Sequence, residues 1–208
     1  MATARLLTVD IRQVAGLADS LTKLDGPKLG SIGLAAVNEV AVRTEIAARR
    51  GIAQTINLSE SYLIARLGVR RATDASRPEA VIFSPYTQTP LGRYDPKQLT
   101  KAVKNPARSK GDRSRGIAPG QKGAGISVEV TRGSRKPITN AFTMPLNNNN
   151  GTGVFTRVNG ELKYQHRYGP SVYQLFRVQA VRLRDEITTD LQQSLISEAE
   201  RVLEGVFE

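Results

Sequence analysis

Apolar positions recur at helical spacing in the first part of the chain, alternate in the middle, and return to helical spacing from Gly169 onward. Ala4 to Val9 reads as a short extended lead-in. After it Ile11, Val14, Leu17, Leu21 and Leu24 fall three or four residues apart, with Asp10 placed to cap them and Asp25-Gly26-Pro27 to stop them. A second helix is predicted from about Lys28 to Arg50, rich in Ala, with Arg49 and Arg50 complementing its dipole and Gly51 as its left-handed cap. Ser59 suits the cap of a third, short helix holding Tyr62, Leu63, Ala65 and Leu67, which Gly68 ends. Val69 to Ala72 and Ala80 to Phe83 read as strands.

The central third changes period. Ile126, Val128 and Val130 alternate with Ser127, Glu129 and Thr131, and a turn at Gly133 leads to a second extended run, Pro137 to Met144. Pro at the start of that run suits an edge strand. Asn147 to Gly153 reads as a loop. Val154 to Val158 and Glu161 to Gln165 flank Asn159-Gly160, the composition of a type I′ hairpin. Ser171 and Gln174 have capping-box spacing at the start of a last helix, whose stripe includes Val172, Phe176, Leu183, Ile187, Leu191 and Leu195. Run unbroken to Val206 it would span roughly 50 Å, with a break at Thr188-Thr189 as the alternative.

The fold class is therefore α+β. A small antiparallel sheet of about 4–5 strands, in the central and C-terminal half, packs against N-terminal and C-terminal helices, with a long basic loop. At 208 residues the chain is expected to form one domain. Aromatics make up only 5%, with no Trp, so the core is thin or is completed by neighbouring subunits; an ordinary α+β domain with long loops has the same composition.

Charge adds the next constraint. Thirty Lys and Arg against nineteen Asp and Glu give +11, which draws a protein to polyanions. Between Lys97 and Lys122 stand Lys97, Lys101, Lys104, Arg108, Lys110, Arg113, Arg115 and Lys122, with Asp112 as the only acid, so +7 of the +11 falls in 26 residues. The surrounding stretch, residues 87–122, holds four prolines and few large apolar side chains, and reads as a mobile insertion with one or two helical turns at Lys97 to Lys104. Two roles fit it: a solvated loop, or an arm that meets DNA phosphates or an acidic partner surface. With no aromatics interleaved, such an arm would touch backbone, independently of sequence and with strong salt dependence.

Several chemistries are excluded or disfavoured. There is no cysteine for a disulfide, thiolate site or nucleophile. No apolar run approaches the roughly 18 residues of a membrane span, and the N-terminus does not read as a signal peptide. The single histidine, His166, has no sequence partner for catalysis and reads as a surface or packing residue. No cofactor or metal site is expected, and the chain does not read as an enzyme.

Four segments, taken in order, carry a family resemblance: Val128-Glu129-Val130; Arg135-Lys136-Pro137-Ile138 leading to Ala141-Phe142; Gly153-Val154-Phe155-Thr156-Arg157; and Tyr168-Gly169-Pro170-Ser171-Val172. Together with Leu34-Ala35-Ala36-Val37-Asn38 and Arg43, they resemble the phage minor tail protein Z family of lambda-type tail-completion proteins. The resemblance implies a structural virion protein of a tailed phage or prophage, acting in tail completion and head–tail joining. It implies a homo-oligomeric, sixfold ring at the neck or head-proximal tail end, around the DNA channel. Its partners would be neck, tail-terminator and tail-tube proteins, with backbone contact to phage DNA; assembly would take place in the host cytoplasm. The rival reading is a freestanding, sequence-independent DNA-binding protein that uses the basic loop.

Overall fold

The computed structural model describes residues 3–10, 26–146, 151–157 and 164–204. The chain, expected from its length to form one domain, clusters into two compact units, the first of residues 1–52, 60–86 and 172–208, the second of residues 53–59 and 87–171. The fold is α+β, with helices and several small antiparallel sheets.

In the first unit, strand β1 (Thr3–Asp10) precedes helix α1 (Gly26–Thr55), followed by helix α2 (Glu60–Ile64), strands β2 (Gly68–Arg70) and β3 (Glu79–Pro85), and helix α3 (Val172–Glu204). The sheet order is β1-β3-β2, all antiparallel, with Val9 opposite Ala80 and Val69 opposite Ile82. Ala80, Ile82 and Ser84 alternate inward along β3. The helical stripe predicted before Asp25 lies outside the described residues.

The core joins Ile32, Ala36, Val37, Val40 and Ala41 of α1 to Ile187, Leu191, Leu195 and Ala199 of α3 and to Val9 and Ala80 of the sheet. The helices thus cover a sheet built from the lead-in and the short strands, whereas the sequence pattern paired them with the central strands. On α3 the Ser194 hydroxyl donates to Glu39 of α1 at 2.6 Å, and Gln179 approaches Gly51. The partners' order reverses, so the two helices run antiparallel.

Helix α1 does not stop at Gly51. That residue is not left-handed, and a Cβ there would lie 2.7 Å from Oε1 of the buried Gln179. The glycine makes room for a side chain; it does not cap a helix. Arg49 accordingly sits inside the helix, 3.6 Å from Glu45. Burial raises the Glu45 carboxyl above its ordinary range, and Arg49 partly offsets the rise. Likewise α3 is continuous through Thr188 and Thr189, whose hydroxyls donate to the carbonyls of Arg184 and Asp185.

Asn38 holds the strand end to α1. Its Nδ2 donates to the Ala72 carbonyl at 3.0 Å, and its Oδ1 accepts from the Ala72 N–H at 2.7 Å. One side chain thereby satisfies both main-chain groups of a residue past the end of β2.

The second unit contains strands β4 (Thr89–Pro90), β5 (Lys97–Ala102), β6 (Gln121–Thr131), β7 (Ser134–Ile138), β8 (Ala141–Pro145), β9 (Thr152–Arg157), β10 (Tyr164–His166) and β11 (Tyr168–Gly169). They form antiparallel sheets β5-β6-β7 and β10-β9-β8 and a β11-β4 pair. Pro137 lies on the edge strand β7, exposed, where its missing N–H costs no ladder bond. β9 and β10 pair on either side of the predicted hairpin turn; Asn159-Gly160 itself, like Asn147 to Asn150, lies outside the described residues.

Tyr94 is the interior anchor of this unit. It is 0% exposed, its hydroxyl donates to the Pro170 carbonyl at 2.9 Å, and its carbonyl accepts from the Glu129 N–H at 3.0 Å. Gly169 packs against the ring: a Cβ there would meet Tyr94 Cε2 at 2.7 Å and Leu91 Cδ2 at 3.3 Å.

Two substitutions test these contacts by chemical denaturation. Asn38→Ala strands the Ala72 N–H and C=O and should cost about 1–3 kcal/mol. Gly169→Ala forces a methyl group against a fully buried ring and should cost about 1–3 kcal/mol; an unchanged midpoint would show that the Tyr94 pocket can yield.

Candidate nucleic-acid interface

The charge excess is wholly segregated. The second unit holds fifteen Lys and Arg against four Asp and Glu, a balance of +11. The first unit holds fifteen of each and is neutral. Fold formation does not require such a division, since charge of one sign on one unit repels itself.

The stretch from Lys97 to Lys122 carries regular structure. Lys97 and Lys101 lie on β5, a strand where helical turns were predicted, and Lys122 lies on β6. A mostly polar segment becomes a strand here because β6 supplies the ladder. Gln98 strengthens it, its Nε2 donating to the Leu99 and Gly125 carbonyls. Lys104 follows β5, Arg108 ends a 3-10 turn, and Lys110 lies between this turn and a second one, Arg113–Arg115; all these cations are exposed.

Asp112, the lone acid, organises the second turn. Its carboxylate accepts from the Ser114 hydroxyl at 2.6 Å and from Arg115 Nε at 2.5 Å, and its backbone exchanges two hydrogen bonds with Ile117. Those donors hold the Asp112 carboxyl below its ordinary range. The structure brings Lys101 directly opposite Lys122, a like-charge pair that costs stability in an antiparallel ladder. Lys97 stands apart from them, 3.5 Å from Asp95.

Three concavities in this unit share Arg115. One of about 570 Å³ adds Arg157, Phe142 and Tyr164. A second, of about 420 Å³, adds Arg93. A third, of about 430 Å³, adds Lys101, Arg157 and Phe142. Among the described residues no carboxylate lines any of them. The sequence reading missed Arg93 and Arg157, which lie outside the basic run, and the two aromatics beside them. The available signal was the second-strand pattern Val154 to Arg157, which does not tell where a strand will pack.

The aromatics belong to a run of five rings on β8 to β11. Tyr164 meets Phe142 edge-on at 5.2 Å, Phe142 stacks on Phe155 at 6.3 Å, Phe155 on His166 at 4.6 Å, and His166 lies 4.5 Å from Tyr168. His166 is a packing residue in this run, with Nε2 buried and without a hydrogen-bond partner among the described residues. Burial lowers its pKa by disfavouring the imidazolium.

Among the described residues no group of three or more His, Cys, Asp or Glu is placed to hold a metal ion, and no helix is long and apolar enough to cross a membrane.

The His166 shift fixes the sign of a pH effect. A folded-state pKa below the unfolded value means that the unfolded chain binds the proton more readily. The stabilisation is therefore complete above the ordinary histidine range and is lost as pH falls through the depressed folded value. Between about pH 7.5 and about pH 5, the thermal midpoint should fall further for the wild type than for His166→Phe, which keeps the stacking without the titration. Equal falls would assign the acid sensitivity elsewhere.

Compared with family models, with curated protein sequences and with solved structures, the chain matches none.

Proposed function

We propose that this protein is a structural component of a tailed-phage or prophage particle, acting in tail completion and head–tail joining as an oligomeric ring around the DNA channel. The observation that carries the oligomeric part is an uncovered apolar face on α3. Val178 is 57% exposed and Val181 78%, three residues apart on one side of the helix. With Gln174, Arg177 and Arg182 they line an open concavity of about 560 Å³. Branched apolar side chains held this far into water on a regular helix suit burial against a neighbouring subunit.

The phage assignment rests on the family resemblance, and the residues that carry it have clear structural work. Arg135 of β7 donates to the Asp95 carbonyl at 2.8 Å and also pairs with the Asp95 carboxylate and with Glu129 at 3.1 Å. Phe142 and Phe155 stack, Gly169 admits the Tyr94 ring, and Asn38 holds Ala72. These are roles that a shared fold would preserve.

A second reading, a freestanding DNA-binding protein, is favoured by one observation: the whole +11 falls on one unit. The two readings separate in solution. For the ring component, the purified chain should self-associate in light scattering, and Val181→Glu should shift it to monomer without changing its circular dichroism. Particles assembled without the chain should show unjoined heads and tails. A wild-type monomer that binds duplex DNA tightly, together with normal particles from a deletion, would overturn the ring in favour of the second reading.

A further inference from the structure

We infer that the concave surface centred on Arg115 is a binding site for single-stranded nucleic acid, in which bases stack on Tyr164 and Phe142 while Arg115, Arg157, Lys101 and Arg93 hold phosphates. The site goes beyond the virion reading and stands whether or not the chain assembles into a ring.

Three independent observations converge on it. The first is electrostatic: the concavities lie in the unit that carries the entire charge excess, and among the described residues no carboxylate lines them. Asp112 takes Arg115 through Nε and so fixes where that guanidinium stands. Lys101 and Lys122 face each other across two strands, an arrangement that an anion stabilises and that bare folding disfavours.

The second is the chemistry of the wall. Tyr164 is 44% exposed, with its ring set edge-on to Phe142 at 5.2 Å, and both rings line the same concavity as Arg115 and Arg157. Phosphate contacts alone need cations only. A solvent-reachable aromatic in the same wall as guanidinium groups adds a surface for a base face.

The third is shape. The three concavities share Arg115 as a lining residue, and two of them share Arg157 and Phe142, so a path from one hollow to the next passes the same cations. A flexible strand can place successive phosphates and bases along such a path. A duplex keeps its base faces stacked on one another, so it cannot offer them to the rings.

The test uses the full chain and fluorescence anisotropy with three labelled probes of equal length: oligo-dT, oligo-rU and a mixed-sequence duplex. At equal salt one or both single strands should bind at least about fivefold tighter than the duplex, and the dT and rU arms decide between DNA and RNA. Tyr164→Ala should weaken single-strand binding about fivefold or more and leave duplex binding unchanged, whereas Tyr164→Phe keeps the ring and should keep the affinity. Arg157→Gln should reduce the slope of log affinity against log salt by about 0.7 for single strands. Arg71→Gln, in the neutral unit, is the control and should change nothing. Duplex binding equal to or tighter than both single strands would overturn the inference. So would unchanged single-strand affinity in Tyr164→Ala, or loss of affinity in Tyr164→Phe with the fold intact.

Discussion

The second unit depends on one buried tyrosine. Among the described residues Tyr94 is the bulkiest fully enclosed side chain. A phenol in an apolar interior is tolerable only when its hydroxyl is paired, and the Pro170 carbonyl pairs it. The ring in turn requires a residue without a side chain at Gly169, and the Tyr94 carbonyl takes the Glu129 N–H. Three stretches distant in sequence thus meet at a single residue. Asp95, immediately after it, takes a left-handed conformation at φ 46°, and Arg135 offsets that strain by bonding both its carbonyl and its carboxylate.

Charge is managed differently in the two units. In the first, acids and bases pair along helices, Glu39 with Arg43 and Glu45 with Arg49, and the sum is zero. In the second, the acids described are spent on local architecture: Asp95 and Glu129 on Arg135, and Asp112 on its own turn. By sequence the unit still carries eleven more cations than acids. A fold could spread this charge to lower its self-repulsion; concentrating it around a concave, ring-lined surface makes sense when a polyanion supplies the missing charge.

The segments on which the proposed tail-completion role rests are, in this chain, residues of construction. They fix a strand edge, a ring stack and the tyrosine pocket. The surfaces proposed to meet other molecules are at Val178 and Val181 of α3 and around Arg115, and the second of them shares Phe142 and Arg157 with those segments.

Periodicity and composition by themselves determined the helical and extended segments, the α+β class and the large positive charge, because these follow from local spacing and from counting. They misread the end of α1, since a glycine that caps a helix and one that makes room for Gln179 look alike in one dimension. They also read β5 as loop, since a polar segment becomes a strand only when β6 offers its main-chain groups. Of the candidate site, Lys101 and Arg115 were legible as members of a basic run. Arg93 and Arg157, and the rings of Phe142 and Tyr164 beside them, were not. Only tertiary structure brings those residues to one surface, because strand pairing joins positions that the sequence keeps tens of residues apart.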